Sequence, residues 1–574
     1  MKTIRLSLPV ALLTALALSA STSCSTPSPA GQAGQPEESG QSEHDTTQVE
    51  QEAEVPLFDG LDAHHHEIST DVPAAQEYFD QGLVLSFGFN HAEAARSFEQ
   101  AARLDPTCAM CYWGKALVLG PNINLQMPPE NVEPAWEAVQ KARELADEHA
   151  TPREQAYIEA LSERYDADPP EDRSPLDRAY AEAMGEVAEA YPEDLDAQVL
   201  YAEALMDEHP WDYWTDEGEP KPWTPEIMQV LEDVLAEAPE HPMANHLYIH
   251  AVEASDEPER ALESAKRLED MVPGAGHLVH MPSHIYIRTG RYHEASKANE
   301  RAVAADQQYL SQSHEAGIYA LGYVPHNEHF LWATTTLEGR SEDAIGAARD
   351  VQAKVDPDMM RQPGMGTLQH FYSLPYYAMY TFGQWEEILD EPAPADDLLY
   401  PTGVWHFARG MAFLRTGRLD EAEAELDELA DLAEDERLEE VTLWDINTTA
   451  DLLEIGTEVL SGELAAARGD YDEAIVHLRR GVELEDSLNY DEPPPWGQSV
   501  RRHLGAVLLE ADKPAEAERV YRADLEEFPN VGWALYGLAE ALDAQGKADE
   551  AAQVRERLEQ AWRHADVELN ASRF

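Results

Sequence analysis

Small and aromatic residues recur at fixed offsets through most of this chain, and this recurrence constrains its fold more than any other feature. In the segment YFDQGLVLSFGFNHAEAARSFEQAARLDP, Gly82 is followed by Ala94, Phe98, Ala101 and Pro106. Apolar residues recur there at spacings of three and four, which is typical of helices, and strand-like alternation is almost absent beyond the N-terminal tail. The pattern predicts two helices that approach closely at Gly82 and Ala94. Phe98 fills the cleft between them and Pro106 ends the second helix.

These offsets match the tetratricopeptide repeat, in which each unit is a hairpin of two helices. The same offsets return near the C-terminus at Gly505, Ala517, Tyr521 and Pro529. Further partial copies contain Gly290 with Tyr292, Gly339 with Ala344, Gly383 with Trp385, Gly417 with Ala422, and Gly469 with Tyr471. A coiled coil is the alternative, but Pro and Gly interrupt the helical pattern every few tens of residues. We therefore predict an all-α fold, a right-handed superhelical solenoid of the tetratricopeptide type.

The N-terminal segment MKTIRLSLPVALLTALALSASTSC has the layout of an export signal. Lys2 and Arg5 precede an apolar stretch from Leu6 to Leu18, which is too short to span a membrane. The N-terminal segment ends at Cys24, and this resembles a bacterial lipoprotein signal in which Cys24 is the lipid anchor. Ser21 departs from the usual cleavage box, so plain secretion is the alternative. We expect an exported protein of the cell envelope, in contact with a membrane only through that anchor.

Composition and repeat spacing divide the chain into four parts. The signal covers residues 1–24, and residues 25–56 form a linker without aromatic side chains, rich in Ser, Pro, Gly, Gln and Glu. Such a composition cannot bury a core and predicts disorder. Residues 57–390 form an N-terminal solenoid with a histidine-lined groove, and residues 391–574 form C-terminal repeats.

The net charge of -72 excludes some functions. So acidic a chain would repel the phosphates of nucleic acid, so we expect no nucleic-acid partner. It has no phosphate loop ending in GK[ST] and no dinucleotide-binding glycine fingerprint, so no nucleotide cofactor is expected. The metalloprotease motif HExxH is also absent from the sequence.

Histidines concentrate at the groove positions of consecutive repeats. The resemblance to tetratricopeptide arrays implies that positions 2, 5, 9 and 12 of each first helix line the concave groove. The segments NHLYIHAVEAS and GHLVHMPSHIYIRTGRY each place three side chains at helical spacing, and later repeats continue the row. The residues that fall at groove positions are His246, His250, Glu253, His277, His280, His284, His326 and His329, with His370 one repeat further on.

Imidazoles from neighbouring helices can share one ion, because packed helices lie about 8–10 Å apart. Histidine with glutamate suits Zn, Cu, Fe or Mn, and the sequence does not choose among them. We therefore predict a transition-metal site in the groove. Two alternatives stay open: the histidines contact a bound peptide, or they form hydrogen bonds between neighbouring helices.

Two further features supply candidate ligands beyond the histidine row. Cys108 and Cys111 lie three residues apart. Four interpretations stay open for them: a disulfide, an inert pair, a redox pair or two soft metal ligands. Tyr112 follows Cys111 where haem attachment requires His, so no haem is expected. His64 and His66 alternate in an extended segment and point to the same side, where they cap the groove, add ligands or remain in a solvated loop.

The run from LFDGLDAHHHEIST through CAMCYWGKALVLGPNIN to HLYIHAVEAS and PGAGHLVHMPSHIYIRTGRY resembles a group of large bacterial tetratricopeptide-repeat proteins. The resemblance covers roughly residues 57–340, and the group has no settled activity. The superfamily implies a scaffold that binds protein or peptide partners. Our leading hypothesis is an exported scaffold whose groove binds transition-metal ions. The alternative is a metal-free adaptor for peptides or proteins, and no sequence feature identifies a catalysed reaction.

Overall fold

The computed structural model describes residues 55–215, 218–313 and 317–574. Nearly all regular secondary structure of the described residues is helical, and consecutive helices pack against one another as a solenoid of hairpins. The predicted all-α fold class is therefore confirmed. Cys24, the signal and nearly all of the linker lie outside the described residues. None of the described helices is both long enough and apolar enough to cross a membrane.

The helices that lead up to and form the histidine-rich groove belong to the first half of the chain. They are α1 (Pro73–Phe87), α2 (His91–Leu104), α3 (Ala109–Leu119), α4 (Val132–His149), α5 (Pro152–Ser162), α6 (Ser174–Ala190), α7 (Leu195–Glu208), α8 (Thr224–Glu237), α9 (Pro242–Glu253), α10 (Leu262–Leu268), α11 (Gly276–His280), α12 (Pro282–Arg288), α13 (Tyr292–Gln312), α14 (Val324–Glu338) and α15 (Ser341–Lys354).

The second half continues the hairpins and contains one very short antiparallel ribbon. Its elements are α16 (Gly366–Thr381), α17 (Trp385–Asp390), α18 (Leu399–Arg415), α19 (Leu419–Ala433), β1 (Thr442–Leu443), β2 (Asn447–Thr448), α20 (Thr449–Ala467), α21 (Tyr471–Glu485), α22 (Val500–Glu510), α23 (Pro514–Glu527), α24 (Gly532–Ala544) and α25 (Ala548–Ala561).

The small residues of the repeat make room for one aromatic ring between successive first helices. The Phe98 ring packs between Gly82 and Gly114, where an added Cβ would come within 2.9 and 2.4 Å of it. Phe98 itself is fully buried. Tyr521 occupies the equivalent position near the C-terminus, between two glycines of α22 and α24. The cleft that the sequence pattern predicts at Phe98 is thus present at both ends of the solenoid.

The two halves contain separate hydrophobic cores, and the chain turns back so that the second half contacts the first. The first core extends from Leu61 to Val324 and the second from Ile287 to Val554. Past α25, Asp566 accepts hydrogen bonds from the backbone N–H groups that start α15, at 2.8 and 3.0 Å. The groove helices α9, α11, α12 and α14 therefore lie where both halves can reach them.

Residues 57–71, which we call the strap, precede α1 and cross the starts of several helices. The Gly60 carbonyl accepts a hydrogen bond from Gly274 N at 3.1 Å, just before α11. Ser69 donates from its backbone N and from Oγ to the Glu154 carboxylate of α5, both at 2.6 Å. Thr70 Oγ1 donates to Asp105 at 2.6 Å. These contacts fix the strap to the solenoid along its whole length.

Candidate metal centre

The groove histidines come together because the first helices of consecutive hairpins lie side by side. Helix α9 carries His246 and His250, α11 carries His277 and His280, and α12 carries His284. His326 and His329 lie on α14, and His370 lies on α16. All of these side chains are buried except His326, which is half-buried.

Three of these residues, His246, His250 and His277, form what we call the first triad. One ring nitrogen from each lies within 4.8 Å of the other two. Nε2 of His246 lies 3.1 Å from Nε2 of His277. The Phe89 ring packs against both of these imidazoles, with centroid separations of 5.0 and 5.1 Å. The first triad is therefore a compact set of nitrogen donors with an aromatic wall.

The second triad consists of His280, His284 and His326, and its ring nitrogens also lie within 4.8 Å of one another. Nε2 of His280 lies 2.8 Å from Nε2 of His284, one helical turn away. Phe330 packs against these rings, at 4.6 Å from His280 and 4.4 Å from His284. Its half-buried member, His326, lies nearest to solvent.

Acceptors behind the rings hold the opposite nitrogens. Nδ1 of His280 lies 2.6 Å from Asn299 Oδ1, and Nδ1 of His250 lies 2.6 Å from Glu253 Oε1. Nδ1 of His284 contacts Glu253 Oε2 and lies 2.8 Å from Glu492 Oε2. Because these oxygens only accept, each Nδ1 carries the hydrogen. In the neutral ring, Nε2 then carries no hydrogen, and its lone pair points into the triad.

Burial keeps most of these imidazoles uncharged. It lowers the pKa of His246, His277 and His280 well below the usual value, and neighbouring imidazoles lower it further. The pKa of His326 falls to about 3, again through burial first and then through the charge of His284. Neutral imidazole is the form that binds metal ions.

His284 is the exception. Burial alone would lower its pKa, but the contact with Glu253 and then with Glu492 outweighs burial and raises the pKa to about 10. The same pairing overcomes burial at Glu253 and lowers the pKa of that carboxyl. Without another cation in the second triad, a proton on His284 would therefore supply the positive charge beside these carboxylates.

Glu253 takes a different place from the one that its groove register suggests. We expected it among the metal ligands, but both of its oxygens face Nδ1 atoms of histidines, one in each triad. Its side chain is 1% exposed. The carboxylate thus lies behind the ring nitrogens of both triads, where it orients His250 and His284.

His329 and His370 belong to neither triad. Their ring centroids are 5.3 Å apart, and Nδ1 of His370 lies 2.8 Å from the Tyr400 hydroxyl. His329 stacks on Trp332, and among the described residues neither of its ring nitrogens has a hydrogen-bond partner. This pair continues the row of groove histidines beyond the second triad.

The remaining candidate ligands lie at other places. Cys108 and Cys111 form a disulfide at the start of α3, so neither sulfur is available as a thiolate ligand. His64 and His66 do not cap the groove, because both contact Asp196 of α7. Burial disfavours the charge on Asp196, but the close contacts with His241, His64 and His66 outweigh burial and hold the pKa of its carboxyl well below the usual value.

Sequence reasoning missed Glu492, Asn299, Asp196 and His241. Glu492 lies in the loop between α21 and α22, far along the chain from His284, and no periodic pattern marks it. Asn299 lies on the second helix of its hairpin, outside the groove register. A weak signal existed for His241, because it directly precedes Pro242 at the start of a helix and caps it.

Aromatic side chains surround the outer side of the triads. The Trp211 ring stands edge-on to the His250 ring, with 5.2 Å between the ring centroids, and the centroids of Trp444 and His326 are 6.4 Å apart. Both tryptophans are unusually exposed, at 42% and 41%. Trp211 Nε1 donates to Asn124 Oδ1 at 3.0 Å, and Asn124 donates to the Tyr323 hydroxyl at 3.2 Å. These residues form an aromatic rim next to the histidines.

Family models for the tetratricopeptide repeat match residues 404–428, 460–480 and 504–566. These matches identify tetratricopeptide repeats in the C-terminal half of the helical solenoid, and proteins with such repeats generally bind protein partners. The motifs of the N-terminal half lie outside the matched residues. No curated protein matches the chain.

Among solved structures, the chain resembles three helical-repeat assemblies at low identity. For the Cut9–Hcn1 heterotetramer of the APC/C, identity is 14%, coverage is 85% of this chain and 76% of the other, and the TM-score is 0.30. For the human IFIT1 dimer with m7Gppp-AAAA, identity is 11%, coverage is 86% of this chain and 91% of the other, and the TM-score is 0.29. For Naa15/Naa10 bound to HypK, identity is 13%, coverage is 85% of this chain and 71% of the other, and the TM-score is 0.22. No conclusion about function follows from similarities this low.

Proposed function

We propose that this tetratricopeptide-repeat protein binds two transition-metal ions, one in each histidine triad. Each ion would take three imidazole nitrogens, from His246, His250 and His277 in the first triad and from His280, His284 and His326 in the second. Three protein ligands leave a further coordination position for water or another molecule. Nitrogen-rich sites of this kind suit Zn, Cu, Fe or Mn.

The facing Nε2 atoms of His280 and His284 are the observation that carries the proposal. Asn299 accepts from Nδ1 of one ring, and carboxylates contact Nδ1 of the other. Both Nε2 atoms are then lone pairs in the neutral rings, yet they face each other at 2.8 Å. Two lone pairs repel at this distance unless a cation lies between them. A metal ion and a proton on His284 are the two cations that would satisfy the pair.

The Nε2–Nε2 distances fit either cation, because 2.8 and 3.1 Å also suit an N–H···N hydrogen bond. The surroundings of the first triad favour a metal ion over a proton. Two nitrogens bound to one ion at roughly 2.0–2.1 Å lie about 2.8–3.4 Å apart for bond angles between 90° and the tetrahedral angle. The Nε2 pairs of the two triads, at 3.1 and 2.8 Å, fall within or close to this range. In addition, the first triad has no carboxylate directly on His246 or His277 among the described residues to stabilise a proton there.

The test is metal analysis of protein purified without an affinity tag. We expect His246→Ala with His277→Ala to lose one ion per chain relative to the parent, and His280→Ala with His284→Ala to lose another. His250→Ala with His280→Ala should remove ions from both triads while circular dichroism stays helical. His477→Ala, at a half-buried histidine that contacts Glu458 on α20, is the matched control and should lose none.

A parent protein that takes up no Zn, Cu, Fe or Mn would contradict the proposal, as would pairs of variants with unchanged metal content. If the parent protein contains no metal and the variants lose helix, the histidines serve packing between helices instead.

Binding of a protein or peptide is the second candidate function. Trp211 and Trp444 support it, because two exposed tryptophans beside a polar groove are the kind of residue that anchors a partner. Export to the cell envelope also remains part of the proposal. The Cys108–Cys111 disulfide supports it, because disulfides persist in oxidising compartments.

A further inference from the structure

The strap contributes to a second, independent cluster of donor atoms. His64 of the strap, Asp196 of α7 and His241 before α9 each place one donor atom within 4.8 Å of the other two. We propose that these three residues bind one divalent transition-metal ion, separate from the triads of the groove, and that this ion fastens the strap to the solenoid. This inference does not depend on the ions proposed for the triads.

The distances suit ligands that share an ion. Nε2 of His64 lies 2.8 Å from Asp196 Oδ1, and Nε2 of His241 lies 3.0 Å from the same oxygen. The His64 contact lacks the geometry of a hydrogen bond, and its Nε2 is buried without a partner among the described residues. A buried nitrogen that faces a carboxylate oxygen without bonding to it is well placed to bind a cation with that oxygen. Two imidazoles and one carboxylate form a donor set that zinc commonly takes in proteins.

His66 acts behind this donor set. Its Nδ1 lies 2.5 Å from the other oxygen of the same carboxylate, Asp196 Oδ2. A hydrogen bond of this kind fixes the orientation of a carboxylate that binds a metal ion. The strap thus supplies a ligand from His64 and an orienting group from His66. The residue between them, His65, points away and contacts Asp80, with its side chain 62% exposed.

A cavity of about 560 Å³ adjoins the cluster. His64, Asp196 and His241 line it together with Glu240 and residues of the turn before α9. The space is large enough to admit an ion with its water molecules. Three protein ligands with water from the cavity would complete a four-coordinate or five-coordinate site.

The role of His241 as a helix cap determines which variant to use. Its Nδ1 accepts a hydrogen bond from Ala244 N at 3.3 Å, so the metal-free ring carries its hydrogen on Nε2. Binding an ion through Nε2 requires the other tautomer, which gives up this contact. Its Nδ1–H would then face the Ala244 N–H, so the ring has to move off the cap when the ion binds. Asparagine also caps helices, so His241→Asn removes the imidazole and keeps a cap.

The test uses the full chain and Zn²⁺ alone. Each protein is stripped of metal, equilibrated with Zn²⁺ and freed of excess, and the Zn content per chain is measured. We expect His64→Ala and His241→Asn each to bind one ion fewer than the parent, and His65→Ala to bind as many as the parent. Zn²⁺ should also slow amide hydrogen exchange of residues 57–71 in the parent and in His65→Ala, but not in His64→Ala.

Equal Zn content in the parent, His64→Ala and His241→Asn would overturn the inference, whatever the triads do. If the triads bind no metal, we expect one Zn ion per chain in the parent and none in His64→Ala. If His241→Asn fails to fold, His64→Ala decides alone, because it changes only the strap. Loss of one ion without any change in hydrogen exchange of the strap would overturn the fastening role.

Discussion

Glu253 and His284 form a buried ion pair that joins the two triads, because the second oxygen of the same carboxylate holds His250 of the first triad. One side chain therefore orients a ring in each triad. The two proposed ions share a structural partner although they share no ligand. A substitution at Glu253 should therefore change metal binding at both triads.

We expect Glu253→Gln to weaken metal binding at both triads by about 10–100-fold, the usual cost of losing a partner behind a ligand. The amide keeps the shape of the side chain but cannot accept from both Nδ1 atoms as a carboxylate does. Affinity is measured by competition with a chelator. Glu232→Gln, a partly exposed carboxylate that pairs with Arg260, should leave affinity unchanged. Equal affinity of Glu253→Gln and the parent would refute a shared role.

Glu492→Gln should weaken the second triad and spare the first. Glu492 Oε2 lies 2.8 Å from Nδ1 of His284, whereas no contact links Glu492 to His246 or His277 among the described residues. The variant is compared in proteins in which only one triad is intact, again by competition with a chelator. A similar loss at both triads would mean that the loop between α21 and α22 acts through the general packing of the two halves.

Metal binding should reduce the loss of stability at alkaline pH. In the metal-free protein, the folded-state pKa of His284 is raised from 6.5 to about 10 by its carboxylate partners. Its contribution to stability is then fully present below pH 6.5 and is lost as the pH rises through about 10. A bound ion would supply the charge instead of the proton. Thermal unfolding between pH 7 and 10 should therefore show a falling Tm without Zn²⁺ and a smaller fall with it.

The same exchange of a proton for an ion should make the second triad release a proton when it binds metal. Calorimetric titration of Zn²⁺ in buffers of different ionisation enthalpy, at pH 7, measures that release. Proton release that is unchanged by His284→Ala would contradict the assignment of the proton to this ring.

Phe98→Ala should destabilise the N-terminal hairpins by about 3–5 kcal/mol, the usual cost of truncating a buried phenylalanine. The ring fills the space between Gly82 and Gly114, and alanine would leave a cavity there. Urea unfolding followed by circular dichroism measures the effect. Val476→Ala, at a side chain that is 67% exposed, should change stability by less than about 0.5 kcal/mol. Equal midpoints would contradict the role of the ring as a repeat wedge.

The fold was predictable because its determinants are local. Gly82 and Phe98 lie within one hairpin, so their spacing alone defines how two helices meet. Helical periodicity also put His277, His280 and His284 on one face. It did not show that His277 joins His246 and His250 of α9, while His280 and His284 join His326 of α14.

The groups behind the triads could not be predicted in this way. Glu492 reaches His284 only because the second half of the solenoid turns back onto the first, and Asp196 meets His64 only because of the path that the strap takes. Both contacts depend on the curvature of many stacked hairpins, which no single stretch of sequence encodes. For the same reason, the repeat register predicted that Glu253 lies on the same helix face as the histidines. It did not predict that the carboxylate contacts Nδ1 of His250 and of His284.

The contact between Glu492 and His284 also has a consequence for the order of events at the ribosome. Chains are made from the N-terminus, and domains generally fold in that order. The histidines of both triads are therefore made well before Glu492. The second triad acquires its last carboxylate only when the C-terminal hairpins have folded and docked, so its maturation is a late step in biogenesis.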